Sequence, residues 1–356
     1  MKILIITNMY PSPKKPFYGA FVREQVECLK NLGHSIKVIG DQGEGNGIFQ
    51  LLKKYSLIGI KSLLFSVVEK PDIIHAHYIF PTGFIGWICS FLTRVPLFIT
   101  SHRGDVFDMP YIHPIFFKLT RFCLQKANRI VAVSTEIKHK MVGDFGINPI
   151  KISIIDMGVG LPNAKNIEYS KEKSAKKKEI KVLFVAISFA RKGGYILIDA
   201  AEKLQQINKG KLHYEIIGEK PHDIVSLIER KGLKDQINFI GLIPHKHVLE
   251  RMKKADIFVL PSSSEGLPIA MLEAMACGTG VIITPVGDVT KVINDKENGL
   301  LIPVGDHHAL ANAIDLLVND GVLLEKIGRN AIKTAKNYSS SKKARELTEL
   351  YSVCLK

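Results

Sequence analysis

Short runs of β-branched and other apolar residues recur through the first half of the chain, at 3–7, 36–39, 72–77, 97–101, 130–134 and 152–155. Runs of this length, bounded by polar or turn-forming residues, predict buried strands. The longer stretches between them have helical periodicity. One of these, 24–32, closes with "NLGH", where Gly33 suits the position just past a helix end. Strands alternating with helices predict βαβ units and a parallel sheet. The pattern stops at 163–179, "NAKNIEYSKEKSAKKKE", which is polar, lysine-rich and linker-like. It then restarts, with strand-like runs at 182–187, 214–217, 238–241, 257–260, 281–284 and 300–303. The chain therefore reads as α/β, two doubly wound domains in tandem at 1–165 and 166–337. A further helical pattern at 338–356, with apolar Leu347, Leu350 and Val353, either packs back on the first domain or caps the second. Ligands of such sheets sit beyond the carboxyl ends of the strands, so the cleft between two such domains is the expected active site.

One stretch breaks the ordinary pattern. In "SSSEGLPIAMLEAMACG", 262–278, Pro268 stands where a helix would begin and Gly278 where it would stop. Nearly everything between is apolar, which predicts a buried helix. Yet Glu273 lies in its middle and Glu265 just ahead of it. The run follows the strand at 257–260, so its loop lies at a carboxyl strand edge. Free backbone N–H groups and the positive end of the helix dipole make such a place an anion site. Gly266 permits close backbone approach. A buried Glu273 needs a satisfying partner. Ribose hydroxyls are one candidate and an Arg or Lys from elsewhere is another.

Composition narrows the function. The 356 residues are 46% hydrophobic and 23% charged, enough for two ordinary cores and unlike a disordered chain. The formal net charge of +15 points to an anionic partner: nucleic acid, anionic lipid or a phosphorylated substrate. Lysines are scattered and no nucleic-acid motif occurs, so nucleic acid is not expected. The five cysteines are widely spaced without a C-x-x-C pair, which predicts buried thiols in a reducing cytosol. No signal-peptide pattern is seen at the start, and the apolar region 79–100 is broken by Pro81, Gly83, Arg94 and Pro96. His75 and His77 alternate on a strand, but no third ligand has metal-site spacing. His245, His247, His307 and His308 suggest no partners.

The E-x(7)-E segment "EGLPIAMLE", preceded by "ADIFVLPS" and followed by "AMACGTGVIIT", resembles the retaining GT-B glycosyltransferases of the large group 1 family (family four) that includes sucrose synthase. "YPSPKKPFYGAFVREQVECLKNLGHSIKVI", "ITSHRGDVF", "FVAISFARKGG", "INFIGLIPHKHV" and "NGLLIPVGD" are similar to further segments of that family, in order along nearly the whole chain. The resemblance implies a GT-B fold, two Rossmann-like domains facing each other across a cleft. It implies hexosyl transfer with retention, from a UDP- or GDP-sugar to a glycan or lipid-linked acceptor in bacterial polysaccharide or lipopolysaccharide synthesis. It also implies roles. Lys192 would neutralise the leaving diphosphate, Glu265 would hold donor-sugar hydroxyls and Glu273 the ribose. Gly266 and Leu267 would offer backbone amides, and Gly241 with Ile243 would line the base pocket. His102 would sit beside the transferred sugar, with Asp105 and Arg103 on the acceptor side, and Gly19 would let its loop pass close to the phosphates. No D-x-D triplet occurs, and neither metal nor other cofactor is expected, the nucleotide sugar being a substrate.

The departures from the family are specific. Its usual Arg about five residues before the Lys-Gly pair is Ile187 here, so Arg191 or Arg103 is left to supply the second phosphate charge. Its Asn in the interdomain "P-N-G-V-D" is missing from "IDMGVG", and Thr279 replaces the Pro after "A-C-G". An epimerase or hydrolase on the same fold, or a non-catalytic nucleotide-sugar-binding subunit, would share the pocket; only a transferase needs both an acceptor and His102. Two basic amphipathic stretches, 47–70 and 113–129, are either surface helices with their apolar stripe in the core or membrane-surface elements. The second reading puts the protein in the cytoplasm, peripheral on the inner face of an anionic membrane.

Overall fold

The computed structural model describes residues 1–12, 18–40, 47–161, 179–207 and 211–355, apart from the side chain of Ile48. Residues 13–17 of the glycine loop and nearly all of the expected linker lie outside these. The chain divides into two units, Met1–Gly158 with Ser340–Lys356, and Val159–Ser339. The division falls ahead of the expected 165/166 boundary. Val159 N–H donates to Tyr338 O at 2.8 Å and bridges Ser339, which ties it to the second unit.

Every apolar run carries a strand. In the first unit these are β1 (Lys2–Thr7), β2 (Ser35–Gly40), β3 (Ile73–His77), β4 (Leu97–Ser101), β5 (Arg129–Ala132) and β6 (Ile152–Ile154), all parallel in the order β2-β1-β3-β4-β5-β6. The helices on it are α1 (Ala20–Asn31), α2 (Ile48–Glu69), α3 (Thr82–Thr93), α4 (Gly104–Phe107), α5 (Pro114–Lys126) and α6 (Thr135–Gly143). Successive strand residues point to opposite faces. Leu4, Ile6, Ile74, Ile99 and Ile130 therefore join one core, and Ile3, Ile5, Ile73, Phe98 and Val131 the other. Burial on both faces is why these strands read as continuous apolar runs rather than alternating ones.

The second unit repeats the plan with β7 (Ile180–Ala186), α7 (Gly194–Ile207), β8 (Leu212–Gly218), α8 (Ile224–Arg230), β9 (Ile237–Gly241), α9 (His245–Lys254), β10 (Ile257–Leu260), α10 (Ile269–Ala276), β11 (Gly280–Ile283), β12 (Leu300–Leu301), α11 (His307–Asn319) and α12 (Gly321–Lys336). Its parallel order is β12-β11-β10-β7-β8-β9, so the connections reverse direction between β7 and β10.

The segment 338–356 forms α13 (Ser340–Leu355), which packs against α1 and belongs to the first unit. Ala344, Leu347 and Tyr351 are buried there, Tyr351 meets Phe98 edge-on at 5.0 Å, and Lys343 pairs with Asp156 at 2.9 Å. The apolar region 79–100 becomes α3 and most of β4. Among the described residues no helix is long and apolar enough to cross a membrane.

Candidate active site

In an open parallel sheet the loops on either side of the switch point diverge and leave a crevice at the carboxyl strand ends. In the second unit those loops are the one after β7, which carries Arg191, Lys192 and Gly193, and the one after β10, which carries 261–268. They are laced together. Ser263 N–H donates to Arg191 O at 3.0 Å, and the Ser263 hydroxyl donates to the same oxygen at 3.2 Å. Gly193 has φ +82°, and a Cβ there would collide with the Pro261 carbonyl. Only glycine allows this approach, and it delivers the Lys192 ammonium to Glu265 Oε1 as an ion pair. The Ser262 hydroxyl donates to the same oxygen at 2.8 Å, and Thr284 fixes Ser262 through its carbonyl at 2.6 Å. Glu265 is 6% exposed. Behind it, Asp288 N–H donates to Gly266 O at 2.8 Å, and Gly287 (φ +60°) packs against the Glu265 and Gly266 carbonyls.

The buried apolar helix is α10. It stops as its sequence dictates: Gly278 takes φ +68°, with Gly278 N–H on Met275 O and Thr279 N–H on Ala274 O. Pro268 stands one position before the first helical residue. Glu273 is 7% exposed, and its partner is neither Arg nor Lys but His245, whose Nε2 donates to Glu273 Oε1 at 2.5 Å. His245 opens α9 directly after Pro244, and its side chain remains one-third exposed. The pair links the loop after β9, where Gly241 (φ +81°) has open space at its missing side chain, to α10. Ile243, half-buried, lines a hollow of about 420 Å³ beside α9, with Ile240 and the Arg251–Glu215 pair. Leu267 is half-buried next to Gly266. Arg191 is exposed, and Ile187 leaves a 58% exposed apolar side chain just past β7.

In the first unit His102 follows β4. Its ring is walled by Tyr78 (4.6 Å), Phe21 (5.0 Å) and His77 (5.7 Å between centroids, nearly parallel). Tyr78 follows β3 and Phe21 lies in the first turn of α1, so His102 sits where the loops of β1, β3 and β4 converge. Gly19 permits that convergence: at φ +72°, its missing Cβ would strike the Met9 carbonyl. His77 Nδ1 and His102 Nε2 are 3.4 Å apart, one donating to the other. His75 stacks on His77 at 4.8 Å, and its own nitrogens are taken by Tyr351 Oη (2.5 Å) and Thr100 Oγ1 (2.7 Å). Burial holds the pKa of His75 and His102 down at about 3 and that of His77 well below the ordinary value. The cluster is neutral at physiological pH, and its rings stack. Among the described residues no three His, Cys, Asp or Glu side chains are grouped as metal ligands.

Asp105 is 4% exposed. It accepts from Ile79 N–H at 3.0 Å and the Ser101 hydroxyl at 2.9 Å, and burial pushes its pKa up to about 7. It ties the loop after β3 to the loop carrying His102. Arg103 stacks on Phe107 at 4.5 Å and reaches Asp108 at 3.9 Å.

The structure thus joins Lys192, Gly193, Glu265 and Gly266 in one crevice, with Arg191 at its lip. It sets Glu273 against His245, and in the first unit it gathers Gly19, His102, Asp105 and Arg103. Sequence reasoning gave no role to His245, Ser262, Tyr78 and Phe21, and His77, read from sequence only as a strand histidine, is a buried core residue. The only advance signal for His245 was its place after Pro244 at a helix start.

Two tandem doubly wound sheets, the second with a cation and a carboxylate at its switch point, have the architecture of the GT-B class. The family model "Glycosyl transferases group 1" matches residues 166–334, and "Glycosyltransferase Family 4" matches 19–161. The chain belongs to the group 1 glycosyltransferases. It is 27% identical to a putative teichuronic acid biosynthesis glycosyltransferase of Bacillus subtilis, covering 100% of this chain and 99% of the relative. It is 26% identical to the Escherichia coli UDP-Gal:alpha-D-GlcNAc-diphosphoundecaprenol alpha-1,3-galactosyltransferase, covering 91% and 82%. Anabaena HepE, solved in complex with UDP, has the same fold with a TM-score of 0.75 at 19% identity, covering 99% of this chain and 100% of that one.

Proposed function

We propose that the protein is a retaining hexosyltransferase that moves a sugar from a UDP-sugar, with GDP-sugars as the competing donors, to a glycan or lipid-linked acceptor in cell-surface polysaccharide synthesis. The observation that carries this reading is the Lys192–Glu265 pair held at the second sheet's switch point by the Gly193–Pro261 contact. A nucleotide-sugar diphosphate seated there meets the Lys192 charge. The ammonium then turns from Glu265 to the phosphate, freeing the carboxylate for hydroxyls of the sugar. In the reaction the C1–O bond to the diphosphate breaks and the diphosphate leaves with the electron pair. C1 bonds the acceptor oxygen, and the acceptor's proton passes to the leaving phosphate. Charge grows on the diphosphate as the bond stretches, so a fixed cation stabilises the transition state more than the ground state. Arg191, adjacent to Lys192 in sequence, is the candidate second cation, and this reading asks for no metal or other cofactor.

Glu273 takes the ribose hydroxyls and His245 holds its carboxylate ready until then. Gly241 and Ile243 border the base, and the Gly266 and Leu267 amides meet the diphosphate. His102 acts on the transferred sugar, Gly19 gives its loop access to the phosphates, and Asp105 and Arg103 shape the acceptor side. The UDP complex of HepE and the diphosphoundecaprenol acceptor of the E. coli relative support this donor and acceptor class. A lipid-linked acceptor places the enzyme peripherally on the inner, cytoplasmic face of the membrane. The test is a thermal-shift panel of UDP- and GDP-sugars, with stabilisation of roughly 2–3 kcal/mol expected near saturation for a true donor. The anomeric configuration of the product, read by NMR, tests retention. No shift with any nucleotide sugar overturns the donor reading; an inverted linkage overturns retention alone.

A further inference from the structure

A helix packed on a sheet turns its apolar stripe inward. The helix α2 turns only part of its apolar surface inward, Tyr55, Ile58, Leu63 and Phe65, and leaves a second apolar face outward. The residues it buries are Ile58, Ser62 and Ser66, at 4, 0 and 0% exposure. Phe49, Leu52, Ile60, Leu64 and Val68 stand 83, 61, 58, 59 and 73% exposed. At 100° per residue the three buried positions point one way, while Phe49, Ile60 and Leu64 point the opposite way, so these exposed apolar residues share one outward stripe. Lys53 stands exposed within the stripe and Lys61 beside it, and the helix's single acid, Glu69, is neutralised by Lys2 at 2.8 Å. The neighbouring α3 adds Phe91 and Leu92, 70 and 58% exposed.

We infer that α2 is the docking surface for an anionic lipid bilayer. The stripe lies along the helix, so α2 can lie flat in the interface with its apolar side chains at the acyl boundary and its lysines at the phosphates. It is not a membrane span. Charge decides between a bilayer and a second copy of the chain. A two-fold interface would set the lysines of α2 near those of its twin, in a chain that already carries +15, whereas anionic headgroups complement them. A soluble anion would answer the lysines but leave the leucines in water. This inference rests on the peripheral-membrane part of the reading above and identifies the element that makes the contact.

The test is flotation of the full chain with vesicles of phosphatidylglycerol and phosphatidylcholine in equal parts, and with phosphatidylcholine alone. Ile60→Ser/Leu64→Ser and Lys53→Gln/Lys61→Gln are compared with wild type, after their thermal melts show that they fold. Wild type is expected to float with the anionic vesicles, to leave them at high salt, and to prefer them to phosphatidylcholine. Each double variant is expected to lose at least about tenfold in the bound-to-free ratio. If wild type fails to float at low salt, both the docking surface and the peripheral reading are overturned. If wild type and Ile60→Ser/Leu64→Ser float equally, α2 is overturned and peripheral contact stands. A concentration-dependent dimer that Ile60→Ser/Leu64→Ser abolishes, with no flotation, gives the face to a second copy and overturns the proposal.

Discussion

Asp105→Asn should make the protein more stable by an amount that grows as pH rises from about 4 to 7. Asp105 is buried, and desolvation raises its pKa from 3.8 to about 7 even though Ser101 and the Ile79 N–H favour the ionised form. At roughly 1.4 kcal/mol per unit, that rise corresponds to about 4 kcal/mol between the protonated and ionised folded states. The unfolded chain gives up this proton from about pH 4, while the folded chain keeps it until about pH 7. Stability linked to Asp105 is therefore full below pH 4, declines as pH rises through 7, and is lost above. Asparagine cannot ionise, yet its oxygen can still accept from Ile79 and its amide can donate to Ser101. The variant should match wild type at or below about pH 4, gain on it by roughly 1.4 kcal/mol per pH unit between about 4 and 7, and exceed it by roughly 2–4 kcal/mol at pH 8. His75 and His102 run the other way: their depressed values cost stability as pH falls below 6.5. They are common to both proteins and cancel in the difference. The assay is denaturant unfolding followed by fluorescence of Trp87, the single tryptophan, which packs on Phe122 in the first unit and so reports that unit alone. A difference that stays flat from pH 5 to 8, or one that favours wild type at high pH, refutes the reasoning.

Three further substitutions probe the site. Gly193→Ala forces a Cβ into the Pro261 carbonyl at a left-handed φ, costing about 1–2 kcal/mol in backbone strain and displacing Lys192. Nucleotide-sugar affinity by calorimetry should fall at least about tenfold, and unchanged affinity would show that the loop contact does not position the lysine. Glu273→Ala should weaken nucleotide binding by about 1.5–3 kcal/mol, the worth of hydrogen bonds to a charged group. Equal affinity in variant and wild type would sink the ribose assignment. His102→Ala should leave donor affinity within about twofold while lowering kcat by roughly 10²–10³. A parallel loss of donor affinity would make it a binding residue instead.

The strands were legible because they are buried on both faces, and a run such as "KILIIT" has no polar period to obscure it. The α10 helix was legible from its punctuation, with Pro268 ahead and Gly278 behind. Pairings made through space were not. Nothing local in "IPHKHV" connects His245 to a carboxylate 28 residues later, nor does "RKGG" announce that Lys192 meets Glu265 rather than solvent. The His75–His77–His102 stack is of the same kind, since β3 and β4 bring its members together only when paired. Periodicity showed that 47–70 carries an apolar stripe but not which way it faces; the short serines at 62 and 66 allow the close inward packing that turns the leucines out. The attachment of 338–356 was likewise undecided until Tyr351 found Phe98 and His75.

That attachment makes the first unit discontinuous: the second is inserted within it. On the ribosome, residues 1–158 emerge with one sheet face unfinished, because the side chains that cover Phe98 and accompany His75 belong to a helix not yet made. Translating the intervening second unit at 5–20 residues per second delays that helix by roughly 10–40 s. The inserted unit has a continuous chain and can close first. The first unit is thus completed after the second, and the last partner that His75 acquires is Tyr351.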